Sequence, residues 1–202
     1  MGPKPSVEMV EITTAAWPVF EELLGPGGVQ GGCWCSWFRL TSKEYAAGDR
    51  ETRKEFVRSR VDAGEPFGLV AKVDGEPLGW VSVAPRRCHV RLERSKVARL
   101  AAGENPDRLW TVACFYNDRR GRGQGLPLKL LEAALDYAAQ NGAAAVEGYP
   151  VDTAGDRLPP QELYYGTLST FLAAGFEQVE RRGARRVLVR KELVGGESGA
   201  SP

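Results

Sequence analysis

The sequence has a single histidine, His89, and four cysteines, Cys33, Cys35, Cys88 and Cys114, among 202 residues. That scarcity excludes much chemistry. A serine triad or a histidine-bearing zinc site would have to rely on His89 alone, and the cysteine spacing matches no zinc pattern. Cys33-Trp34-Cys35 places one residue between its sulfurs, not the two of the usual redox pair. The cysteines therefore read as reduced, structural thiols. Also missing is an excess of either charge: 27 Lys and Arg face 26 Asp and Glu, a formal net charge of +1. Near neutrality argues against general affinity for nucleic acid or anionic membranes. No apolar run approaches the roughly 20 residues of a membrane helix. The N-terminus, Met1-Gly2-Pro3-Lys4-Pro5, lacks the apolar core of a signal peptide, so the cytoplasm is the expected location.

What is present is globular. Hydrophobic residues make up 43% and charged residues 26%, which excludes a disordered chain and a coiled coil. A chain of this length forms a core without metal or disulfide staples. There is no repeat and no linker, so one domain is expected over residues 7–192. A disordered N-terminus (1–6) and a flexible polar tail (193–202) should flank it.

Local pattern predicts the elements. Residues 7–13 read as a strand and 17–24 as a short helix stopped by Gly25-Pro26-Gly27-Gly28. A glycine-rich loop carrying Cys33-Trp34-Cys35-Ser36-Trp37-Phe38 follows. Ser42 is the expected N-cap of a charged helix reaching about residue 61, weakened near Gly48. Residues 67–73 and 78–83 form a hairpin around Asp74-Gly75-Glu76-Pro77. His89 falls among Arg86, Arg87 and Arg91, in what should be a solvated basic loop. Residues 109–116 form an apolar strand. Residues 126–140 are the strongest helix, with Leu130, Leu131, Ala134, Leu135 and Ala138 on one face. A strand at 143–151, a helix at 167–174 and strands at 176–182 and 186–192 complete the chain. The order predicts an α+β fold with one central parallel strand–helix–strand unit. The final strands offer an edge for pairing with a second copy. The arginines Arg181, Arg182, Arg185 and Arg186 read as a solvated hairpin end.

The segment Arg119-Arg120-Gly121-Arg122-Gly123-Gln124-Gly125-Leu126 lies between the apolar strand and the strongest helix. Glycines let backbone amides approach a ligand, and the helix adds its unpaired N-terminal donors and dipole. With the arginines, this is a site for a diphosphate. A Walker loop would end in Gly-Lys-Ser/Thr, whereas this one continues Gly125-Leu126-Pro127. A dinucleotide fingerprint would need glycine where Leu126 stands.

The loop resembles the acyl-CoA loop of the GNAT N-acetyltransferase superfamily: Arg or Gln, two residues, Gly, one residue, then Gly or Ala. Here it is Arg120-Gly121-Arg122-Gly123-Gln124-Gly125. Phe171-Leu172-Ala173-Ala174-Gly175-Phe176 is similar to the family's closing helix–Gly-Phe–strand segment. The resemblance covers roughly residues 7–192. It implies a mixed, mostly antiparallel twisted sheet with helices on both faces. It also implies acetyl-CoA as acyl donor and transfer to an amine of a small molecule by direct attack in a ternary complex.

The resemblance places Arg120 through Leu126 on the CoA pyrophosphate, and Cys114, Phe115 and Tyr116 along the pantetheine arm. The family's usual proton-donating tyrosine falls on Phe171, which cannot donate. Tyr164 and Tyr165 are the substitutes nearest in sequence. Glu147, the acid of its strand, is the expected base. Trp34, Trp37 and Tyr149 are expected to line the acceptor site, which would suit a small cationic amine. The alternative, which Phe171 supports, is a catalytically silent acyl-CoA-binding regulatory module.

Overall fold

The computed structural model describes residues 5–100 and 104–193. The expected disordered ends fall mostly outside that range. In chain order the elements are β1 (Val7–Glu11), α1 (Trp17–Leu24), α2 (Ser42–Ala47), α3 (Arg50–Asp62), β2 (Gly68–Val73) and β3 (Glu76–Pro85). Then come α4 (Val90–Glu93), β4 (Leu109–Asn117), α5 (Leu126–Gln140), β5 (Ala145–Gly148), α6 (Leu168–Ala173), β6 (Glu177–Arg181) and β7 (Val187–Glu192).

The strands form one sheet in the order β1-β2-β3-β4-β5-β7-β6. Every neighbouring pair is antiparallel except β4 and β5, which α5 connects in parallel. The fold is thus the mixed α+β sheet expected. α5 and α6 cover one face, where Leu130, Leu131, Val81, Trp110 and Phe171 share a core. α1 and α3 cover the other, around Trp17, Phe20, Trp34, Val57 and Trp80. No helix among the described residues is long and apolar enough to cross a membrane.

Two expectations need correcting. The charged helix after residue 41 is two helices. Thr41, not Ser42, caps α2 through a reciprocal bond with Glu44, and Asp49 caps α3 in the same way with Thr52. An extended Asp49 re-caps the chain, which stops α2 at Gly48. His89 is not solvated: it is fully buried. The turn Arg86–Cys88 folds inward because Arg86 inserts its guanidinium beneath the sheet, and His89 follows it.

Candidate active site

The site begins where β4 and β5 part. Their parallel pairing runs from Leu109 opposite Ala145 to Val112 opposite Gly148 and ends there. The chain turns away at Tyr149-Pro150, while β4 continues to Asn117. Just past the separation β4 bulges: Ser82 faces Cys114 and Val83 faces Val112, so Ala113 is the extra residue. The bulge re-aims the following side chains. Cys114, Phe115, Tyr116 and Asn117 all line a cavity of about 1500 Å³. Its opposite walls come from the loop before α2 and from the segment between β5 and α6.

The glycine-rich loop borders this cavity through Arg119, Arg120, Arg122 and Pro127. Asp118 organises its first half by accepting from the Arg120 amide at 2.9 Å and Nε at 3.0 Å. The Gly121 and Arg122 amides bond back to the carbonyls of Asp118 and Arg119. In the second half, Gly123 and Gly125 take left-handed φ of +79° and +67°, which only glycine adopts without strain. The amides of Gly123, Gln124, Gly125 and Leu126 have no protein acceptor among the described residues. α5 starts there with no side-chain cap and with proline in its first turn. Arg120 is paired with Asp118 and Glu76, whereas Arg119 and Arg122 have no side-chain partner among the described residues. Four unbonded amides, a helix N-terminus and two unpaired guanidinium groups make a fitting cradle for a diphosphate.

The expected site residues divide. Cys114, Phe115, Tyr116, Trp37 and Tyr164 line the cavity. One of the backbone groups expected to serve the pantetheine arm is taken: the Phe115 amide donates to the Tyr164 carbonyl at 2.6 Å. Tyr165 is turned under Arg186, whose guanidinium lies 3.9 Å from the ring centre. Burial, and then Tyr164, push its ionisation up. Trp34 is only 1% exposed and stacks against Trp17, so it anchors the loop from inside instead of covering an acceptor.

Glu147 and Tyr149 do not reach the cavity. Glu147 is 2% exposed and accepts from Arg86 Nη1 at 2.9 Å, Thr111 Oγ1 at 3.2 Å and the Tyr149 hydroxyl. Arg86 also donates to the Ala98 carbonyl. Burial and the Glu147 charge push the Tyr149 phenol far up. A carboxylate with three donors beneath the sheet is a structural anchor, not the base expected of it.

Sequence reasoning missed several residues on the wall, Asp156 and Arg157 among them. Tyr45 meets the Trp37 ring edge-on at 4.8 Å, and Cys33, Cys35 and Asn117 line the cavity as well. No sequence signal marks Tyr45, which sits in a short polar helix. The thiols are not activated. Burial pushes Cys33 up to about 11, and the bond with Cys114, then burial, holds Cys35 protonated.

The acetyltransferase (GNAT) family model matches residues 34–164. No curated protein matches the sequence. Solved structures share the fold at low identity. A putative acetyltransferase from Salmonella typhimurium, yncA, solved with its cofactor acetyl-CoA, is 15% identical, covers 97% of each chain and has a TM-score of 0.54. PaiA N-acetyltransferase from Thermoplasma acidophilum, in complex with coenzyme A, is 12% identical, covers 93% of this chain and 99% of its own, and has a TM-score of 0.51. Aminoglycoside acetyltransferase AAC(6')-Ib, with coenzyme A, is 17% identical, covers 93% and 95%, and has a TM-score of 0.50.

Proposed function

The chain belongs to the GNAT acetyltransferase family, and from that premise we propose that it moves an acetyl group from acetyl-CoA to the amine of a small molecule by direct attack in a ternary complex. The observation that carries this reading is the row of unbonded amides at Gly123–Leu126, set beside the cavity that opens where β4 leaves β5. Acetyl-CoA supplies the acyl thioester when bound. The amides, with Arg119 and Arg122, hold its pyrophosphate. The bulged end of β4 borders the path of its arm.

The chain's own groups then divide the work. Trp37, Phe38 and Tyr45 wall the acceptor side and exclude water. Of the three tyrosines on the cavity wall, Tyr45, Tyr116 and Tyr164, we assign Tyr164 to protonate the departing thiolate, the role Phe171 cannot fill. Among the described residues no unpaired acid lines the cavity to serve the amine as base. The acids lining the cavity are Asp118 and Asp156, and both are engaged, by Arg120 and by Arg185. The amine therefore attacks as its free base and releases its proton to water.

The test is transfer of labelled acetyl across a panel of primary amines, with coenzyme A thermal shift beside it. Coenzyme A at 100 times its dissociation constant should add about 2.7 kcal/mol. Tyr164→Phe should lower kcat while leaving the KM for acetyl-CoA near the parent value. A second reading, a catalytically silent acyl-CoA-binding module, draws on the burial of Phe171 away from the cavity. It predicts the thermal shift with no transfer to any amine.

A further inference from the structure

We propose that the acceptor amine also carries a carboxylate, and that the cavity selects amino acids over polyamines and other polycations. The inference deepens the acyl-transfer reading and rests on it. It corrects the expectation of a cationic acceptor, and it comes from where the fixed charges stand.

A polycation needs acids to receive its further ammonium groups. The two acids on the cavity wall are already committed. Asp118 holds the Arg120 amide and side chain, and Asp156 pairs with Arg185 at 3.0 Å. Aromatic rings are the other means of holding a cation, through the electron-rich face. On the acceptor side the rings of Trp37 and Tyr45 already carry a cation each. The Arg91 guanidinium lies 3.8 Å from the Trp37 ring centre, and Arg53 lies 3.8 Å from that of Tyr45.

Neither arginine has an ion-pair partner among the described residues. Arg91 donates to the carbonyls of Trp37 and Leu40 and to the Ser42 hydroxyl. Arg53 donates to the carbonyls of Gly31, Tyr45 and Gly48. All these acceptors are uncharged, so two fixed positive charges stand against the rings of the acceptor wall.

Arg157 adds a third charge, on the lining of the same cavity and without a partner among the described residues. The diphosphate cradle accounts for Arg119 and Arg122 but leaves Arg157 unassigned. A second ammonium is repelled by this arrangement, whereas a carboxylate beside the reacting amine is attracted by it. An amino acid meets both demands, since its amine can lose its proton and attack the thioester while its carboxylate faces the arginines.

The experiment compares acceptors matched in skeleton: an amino acid, its amide and its decarboxylated amine, for one aromatic and one aliphatic side chain, with spermidine as the polycation. Acetyl transfer is measured at saturating acetyl-CoA and fixed ionic strength. The acid is expected to exceed its amide and its decarboxylated amine by at least tenfold in kcat/KM, with spermidine poorest. Arg157→Gln, on an exposed loop, should shrink that ratio severalfold. Equal rates within the matched sets, or preference for spermidine, overturn the proposal while leaving acetyl transfer itself standing. An unchanged ratio in Arg157→Gln overturns the role given to that residue. Absence of transfer to every amine overturns the acyl-transfer reading instead.

Discussion

The ring of Phe171 packs against Gly148, so close that a β carbon placed on Gly148 would fall 2.8 Å from Cζ and nearer still to Cε1. Phe171 is fully buried and packs edge-on against Phe115 and Phe176. The position the family resemblance gives to a proton donor is here a core position beside the last residue of β5. Phe171→Tyr should therefore bury a hydroxyl in an apolar cluster, at about 1–3 kcal/mol, without raising kcat. Gly148→Ala should overpack the same contact by about 1–3 kcal/mol. Thermal unfolding and steady-state kinetics on both variants check this. A rise in kcat for Phe171→Tyr would show that the ring reaches the reacting sulfur after all.

The three arginines of the glycine-rich loop should separate in their effects. Arg119 and Arg122 form no ion pair among the described residues, whereas Arg120 is shared between Asp118 and Glu76. A charge-assisted bond to phosphate contributes about 1.5–3 kcal/mol. Arg119→Gln and Arg122→Gln should each weaken coenzyme A binding about tenfold or more, and Arg120→Gln less. Calorimetric titration with coenzyme A gives the ranking, which equal losses across the three would contradict.

Glu147 should matter for stability and not for proton transfer. Both it and Arg86 are 2% exposed, so removing the acid leaves a buried guanidinium uncompensated. Breaking one side of such a pair costs about 3–5 kcal/mol. Glu147→Gln should lower Tm by roughly 10 °C in a chain of this size. Below that melting point, kcat/KM should keep the pH dependence of the parent. In both proteins it should rise tenfold per unit up to the pKa of the acceptor amine, since the amine enters as free base. A pH profile that changes with Glu147→Gln would return the base role to it.

Much of the fold was legible because its signals are local. The apolar stripe of α5 has the helical period, and its bounds, Leu126–Gln140, match the expected ones. The loop before it was legible for the same reason, since glycines and arginines at fixed spacing describe an anion cradle wherever they occur. What failed was long-range. Glu147 reads as a lone acid on a strand until Arg86, far away in sequence, is brought beneath it. Trp34 and Trp37 look equivalent in the loop, yet left-handed φ at Trp34 and Cys35 turns the former into the core and leaves the latter on the wall. The bulge at Ala113 depends on strand register, which no window of sequence contains.

His89 gives the last prediction. It is fully buried, neither ring nitrogen has a partner, and Arg39 and Arg86 are the charges near it. Burial first, then those two arginines, hold its pKa well below the ordinary value of 6.5. The folded ring is therefore neutral at a pH where the unfolded ring has bound a proton, so acid favours unfolding. Above about pH 6.5 the ring is neutral in both folded and unfolded chains, so this group adds no pH dependence there. Below that value the protein should lose about 1.4 kcal/mol per pH unit from this group until the folded ring itself protonates. Exposed carboxylates titrate near pH 4, outside the window between pH 5 and 6.5. His89→Leu removes the titrating group and forfeits no hydrogen bond, so its denaturant midpoint should change little over that window while that of the parent falls. Parallel slopes in urea titrations at pH 5, 6 and 7 would mean that the acid sensitivity lies elsewhere in the fold.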